Sequence, residues 1–143
     1  MAGPNPRARQ RGGNQNTFAY PLTIRGQLGS TPSDHAQRSV GGLWYNDNAV
    51  DISVSENTGV KAVADGTIGS VSIRGRTPDS TTNSGSTVFL TTEGDEWAYM
   101  HLNDVSVSQG DQVTKGQLIG ESGIANNSAH LHLGRKNGNP MDV

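Results

Sequence analysis

The sequence predicts an all-β domain, a single small antiparallel sandwich or half-barrel with long loops lining a groove. Three observations lead there. Only 31% of the 143 residues are apolar and 5% aromatic, too lean for a helical bundle of this length. Nineteen glycines punctuate the chain, and the segments between them alternate with period two. No stretch of ten or more residues keeps a 3.6-residue apolar period.

The predicted strands follow in order as 20–27, 49–54, 60–63, 67–74, 86–92, 96–102, 117–121 and 129–136. In 86–92, Val88, Leu90 and Thr92 share one face and Thr87, Phe89 and Thr91 the other. In 96–102, the same alternation puts Tyr99 and His101 on one face and Met100 and Leu102 on the other. Gly66, Gly110 and Gly116 mark turns. Residues 28–47 and 75–85 are polar and Gly/Pro-rich, and long loops of this kind on a compact β scaffold are either disordered or functional, often lining a groove. Asn126-Asn127-Ser128 matches a glycosylation pattern, read here as chance.

Charge divides the chain. Residues 1–16 carry Arg7, Arg9 and Arg11 and no acid; the remaining eight of the 11 basic residues face all 13 acids over 17–143, a balance of -5. The head, 1–17, lacks the apolar residues to build a core and is expected to be a flexible basic segment, either a solvated tail or a docking arm. It contains no apolar h-region of a signal peptide. A formal net charge of -2 argues against nucleic-acid binding. No apolar run nears the roughly 18 residues of a membrane helix, and with no cysteine there is neither a disulfide scaffold nor thiolate chemistry.

Three segments carry candidate chemistry. In Ala129-His130-Leu131-His132-Leu133, the two imidazoles project from one strand face while the leucines enter the core. Converging imidazoles suit a metal with a neighbouring proton-transfer group. His101 lies within Glu96-Trp97-Ala98-Tyr99-Met100-His101-Leu102. Asp51 sits amid Ala49, Val50 and Ile52, where a carboxylate is costly to bury unless paired or metal-bound.

In order, Asn48-Ala49-Val50-Asp51-Ile52, the run from Gly59 to Ile68, Tyr99-Met100-His101-Leu102 and His130-Leu131-His132 resemble the motifs of the lysostaphin/LytM-type zinc metalloendopeptidases. The spacing of Gly110, Val113, Gly116, Gln117, Ile119 and Gly120 follows the same pattern, and the resemblance runs from about Tyr20 to the C-terminus. It implies a LytM-like domain over 18–143, related to biotin-carrier-like barrels, that cuts peptide cross-links of bacterial peptidoglycan with Zn2+. Asp51 and His132 then resemble metal ligands. His101 and His130 resemble the histidines that handle the attacking water and the tetrahedral intermediate.

A catalytic zinc keeps three protein ligands and one open position. The resemblance places a histidine four residues before the aspartate, where this chain has Asp47. Three arrangements follow. Asp47 itself completes an Asp47/Asp51/His132 set, leaving the centre formally neutral; or His35 swings in from loop 28–47; or the site is degenerate. Gly134 stands where the family usually has an acidic residue, which bears on fine positioning. Trp44 and Tyr45 either stack on substrate or anchor their loop.

The implied function is a zinc-dependent endopeptidase acting on peptidoglycan peptide outside the cytoplasm. A phage tail or virion-associated lysin is the expected setting, with the basic head contacting virion proteins. The alternative is a non-catalytic LytM-like module with a structural or regulatory binding role.

Overall fold

The computed structural model describes residues 17–38, 42–74 and 85–143. In chain order the elements are β1 (Gln27–Leu28), α1 (Pro32–Arg38), α2 (Trp44–Asp47), β2 (Ala49–Ser53), β3 (Gly59–Lys61), β4 (Gly66–Ser72) and β5 (Ser86–Thr92). Then come β6 (Asp95–Val105), β7 (Gln112–Val113), β8 (Leu118–Ala125), β9 (Ser128–Arg135) and a closing 3₁₀ turn, Pro140–Asp142. The strands form one antiparallel sheet in the order β1-β2-β9-β8-β6-β5-β4-β7, with β3 on β8 and a further pairing of β9 with β6. The all-β expectation holds, as an open sheet with a few short helices. The basic head, apart from Thr17, and most of 75–85 lie outside the described residues.

The core follows from period-two patterning. Val50 and Ile52 of β2, Val88 and Leu90 of β5, Trp97 and Tyr99 of β6, and Leu131 and Leu133 of β9 all point inward and are buried. Ile68, Ile119, Val60 and Leu22 belong to the same cluster. Burial of such a set supplies most of the stabilisation, at about 1.5–3 kcal/mol per large apolar side chain.

Three expectations shift. The predicted strand 20–27 shortens to Gln27–Leu28; Pro21 has no N–H to donate, and its segment follows β3 through an isolated bridge, Leu22 to Val60. The Thr23 and Lys61 amides donate to the Gly59 and Pro21 carbonyls. Loop 28–47 contains two helices too short for a periodic signal to register. Strand β8 runs on to Ala125 because β9 returns against it, Gly123 facing His130 and Ala125 facing Ser128. Asn126 and Asn127 between them both have positive φ, 52° and 61°. That is the two-residue hairpin geometry asparagine tolerates, so Asn126-Asn127 is turn chemistry.

The sheet forks at β6. Its first half, Trp97 to Met100, pairs with β9, and its second half, from Leu102, pairs with β8. At the fork the register against β5 slips between the Ser86–Leu102 and Val88–Tyr99 pairs, so Met100 and His101 together oppose Thr87 alone. His101 has φ 65°. It is a β-bulge whose second residue lies in the left-handed region, at a cost of about 1–3 kcal/mol for a non-glycine residue. The bulge breaks the alternation and decides which way His101 points.

Candidate metal centre

Strands β2 and β9 pair in a register that sets Asp51 opposite His132 and Ser53 opposite His130. All four therefore share the face opposite Val50, Ile52, Leu131 and Leu133. Beyond β9, Met100 pairs with His132. His101 would point with Tyr99 into the core if alternation continued. Tyr99 does point inward, its hydroxyl accepting from the Val63 amide at 2.9 Å. The bulge instead sends His101 out beside Met100, and both line the cleft. Leu102, expected on the Met100 face, is buried in the core. The face assignment of 96–102 is thus corrected from His101 onward. The His101 ring centroid lies 5.2 Å from that of His130 and 5.5 Å from that of His132.

The third side of the cleft is α1. Thr31 caps it: the Thr31 amide and hydroxyl donate to Asp34 Oδ2 at 2.9 and 3.0 Å, while Thr31 Oγ1 accepts from the Asp34 amide at 3.3 Å. This is a capping box with Pro32 at the first helical position, a start signal present in Thr31-Pro32-Ser33-Asp34. The helix carries His35 inward, where it is buried.

His35 Nε2 lies 3.1 Å and His132 Nδ1 3.2 Å from Asp51 Oδ1. The ligand atoms of these three side chains all fall within 4.8 Å of one another. Each imidazole is oriented from behind by a main-chain carbonyl. His35 Nδ1 meets the Thr31 carbonyl at 2.9 Å, and His132 Nε2 meets the Tyr45 carbonyl at 2.8 Å. A carbonyl can only accept, so those nitrogens carry protons and the opposite ring nitrogens face Asp51, where a cation would take their lone pairs. Two imidazole lone pairs and a carboxylate oxygen converging on one point form a donor set that a cation completes. Neighbouring ligands around a tetrahedral zinc with roughly 2.0–2.1 Å bonds stand about 3.3 Å apart. The two distances to Asp51 Oδ1 match that spacing, and two imidazoles and a carboxylate are a catalytic zinc's donor types. An ion would draw the three atoms, now within 4.8 Å, together.

The electrostatics agree. Burial alone would raise the Asp51 carboxyl, but hydrogen bonds from His132 and His35, with His130 nearby, hold it well below the usual carboxylate range. Burial opposes a charged His35, yet its contacts with Asp51 and the Thr31 carbonyl carry its pKa upward. Without a cation, Asp51 draws a proton onto His35, so metal and proton compete for one position.

His130 sits beside this group. Its Nδ1 meets the Ser128 carbonyl at 2.9 Å, leaving Nε2 directed at the cleft, 3.7 Å from Asp51 Oδ1. The cleft encloses about 730 Å³ and is further lined by Arg38, Ala125 and small polar groups such as Ser30, Asn46, Ser53 and Asn126, which is room for a peptide segment.

Five of the six residues weighed from sequence as catalytic or metal-ligating, His35, Asp51, His101, His130 and His132, meet here. Asp47 does not: it closes α2, lies outside the His35/Asp51/His132 group and the cleft lining, and has a buried Oδ1 with no hydrogen-bond partner among the described residues. What α2 contributes is the Tyr45 carbonyl. Gly134 makes that approach possible, since a Cβ there would come within 2.9 Å of the same carbonyl oxygen. Trp44 and Tyr45 pack edge-on against Phe89 at 5.9 and 5.4 Å, so they anchor α2 to the sheet.

Comparison with known proteins places this geometry. The profile of "Peptidase family M23" matches residues 45–143. The chain is 34% identical over 116 residues to an "Uncharacterized metalloprotease" of Haemophilus influenzae; the match covers 80% of this chain and 23% of that protein, so the chain spans under a quarter of its relative. The catalytic domain of "the antimicrobial peptidase lysostaphin" from Staphylococcus simulans superposes with a TM-score of 0.52 and 28% identity, over 85% of this chain and 80% of that one. A "zinc containing peptidase" from Vibrio cholerae shares the fold, with a TM-score of 0.59 and 22% identity over 83% and 36% of the two chains.

Proposed function

The chain belongs to peptidase family M23, and from that premise we propose that it is a zinc-dependent endopeptidase acting on the peptide cross-links or stems of bacterial peptidoglycan. The observation that carries this is the convergence of His35 Nε2, Asp51 Oδ1 and His132 Nδ1, with the far nitrogen of each imidazole tied to a carbonyl. In this reading His35 takes the place expected of Asp47. The peptidoglycan substrate rests on the motif resemblance. An action outside the cytoplasm and a virion setting, with the basic head as docking arm, belong to the same proposal.

A bound zinc ion supplies Lewis acidity, polarising the scissile carbonyl and making water more acidic. The chain's own groups do the rest. His35, Asp51 and His132 bring two neutral ligands and one anionic one. His130 is held with Nε2 toward the cleft and takes the proton of the attacking water, then returns it to the leaving amine. His101 lies across from it, where its ring donates to the oxyanion of the tetrahedral intermediate. Small polar side chains along the cleft orient the peptide backbone.

The test is digestion of purified sacculi, followed by mass spectrometry of the released fragments, beside elemental analysis of the dialysed protein. We expect about one zinc per chain and new peptide termini; His130→Ala should keep the zinc and release none. A folded protein that holds no zinc and releases nothing would replace this reading with the binding-module alternative.

A further inference from the structure

We propose that Arg38 determines specificity, its guanidinium receiving a free carboxylate on the peptide residue that flanks the scissile bond. The inference rests on the endopeptidase reading above and names the substrate within it.

Among the described residues that line the cleft, the aspartates, glutamates, lysines and arginines are Asp51 and Arg38 alone. Asp51 is committed to His35 and His132, or to the cation those three would hold. Arg38 therefore brings a positive charge that nothing else in the cleft answers. Its position is set by the helix that carries the ligand. Arg38 follows His35 by three residues on α1, so the two side chains are neighbours on one helix surface, with Cβ atoms about 5–6 Å apart. Capping by Thr31 and the Thr31 carbonyl contact with the His35 ring fix that surface against the site. An arginine so placed stands beside the ligand His35 and lines the same cleft, where a substrate residue next to the reacting carbonyl would meet it.

The nearest carboxylate on its own helix does not quench it. Asp34 Oδ2 accepts from both the amide and the hydroxyl of Thr31, and Arg38 is in none of the ion pairs formed among the described residues. The guanidinium is exposed at the cleft rim, with a planar fork suited to bidentate capture of a carboxylate. Apart from the histidines, the rest of the wall carries no charge: Ser30, Asn46, Ser53, Asn126 and Ser128, with Gly29, Met100 and Ala125, suit a peptide backbone rather than a second anion. A cross-link through a diamino acid that retains its own carboxylate matches this arrangement. An oligoglycine bridge offers no such anion.

The experiment uses one cross-linked wall peptide in two forms, with the diamino-acid carboxylate free or converted to the carboxamide, and zinc-loaded protein. Wild type should favour the free acid by about 10- to 100-fold, the range of a charge-assisted hydrogen-bond pair, expressed in KM rather than kcat. Arg38→Ala should bring the acid down to the level of the amide, with zinc content and melting temperature as in wild type. Calorimetric binding of both peptides in the His130→Ala background should show the same preference without turnover. Equal treatment of the two peptides by wild type overturns the inference, as does a preference that survives Arg38→Ala. If neither peptide is cut and no zinc is held, the endopeptidase reading fails as well; if both are cut alike, only the role of Arg38 fails.

Discussion

Gly123 lies so close to the backbone of His101 that a Cβ on it would stand 2.4 Å from the His101 carbonyl oxygen. The bulge that turns His101 into the cleft is thus built on a glycine of the neighbouring strand, and backbone cannot yield as a side-chain tip does. Gly123→Ala should shift the bulge, lowering kcat while zinc stays bound, and destabilise the fold by about 1–3 kcal/mol. Steady-state kinetics beside elemental analysis checks this; full activity in Gly123→Ala would show that the position of His101 does not matter.

The strain at His101 itself gives a second prediction. Its φ of 65° suits glycine. His101→Gly should therefore stabilise the protein, or cost little, by relieving about 1–3 kcal/mol of backbone strain while abolishing turnover. Urea unfolding of the two proteins measures it. A substantial loss of stability would mean that the imidazole contacts outweigh the strain.

Gly134 and the Tyr45 carbonyl make a third. A methyl group at Gly134 would displace α2 and remove the acceptor behind His132. Gly134→Ala should weaken zinc binding by about 10–100-fold, the usual cost of losing a group that orients a ligand. Competition with a chromophoric chelator gives the number, and unchanged affinity would rule out the Tyr45 carbonyl as the orienting group.

Asp47 and His35 make opposite predictions. Asp47→Ala should leave zinc stoichiometry at the wild-type level, because Asp47 lies outside the ligand group. His35→Ala should reduce it sharply. The reverse result, read by elemental mass spectrometry, would return Asp47 to the site.

The last prediction concerns alkaline stability. Burial pushes the Tyr99 phenol well above its ordinary value, its hydrogen bond from the Val63 amide opposing this only in part. The folded pKa exceeds the unfolded one, so the folded state holds its proton where the unfolded chain releases one. Stability is complete below about pH 10 and is lost above it, by about 1.4 kcal/mol per pH unit. Tyr99→Phe leaves the buried Val63 amide without its acceptor and should cost about 1–3 kcal/mol at pH 8. At pH 11 the gap to wild type should narrow, because phenylalanine has no such titration. Denaturant midpoints at the two pH values decide it, and a constant gap would refute the claim.

Much of this was legible in the residues alone. Alternation put Val88 and Leu90 on one face, sent Leu131 and Leu133 inward and turned His130 and His132 outward, because period two is a property of the strand itself. An aspartate embedded in apolar β2 marked Asp51 for the same local reason. Tertiary structure decided what local patterning does not contain. The β2–β9 register put Asp51 opposite His132, the fork of β6 turned His101 outward, and α1, whose capping box was readable, docked so that His35 reached an aspartate sixteen residues on. A ligand set is a meeting of donors in space. Here the ligands required the packing of two short helices, and His101 beside them a bulge, each selected by contacts between segments far apart in the chain.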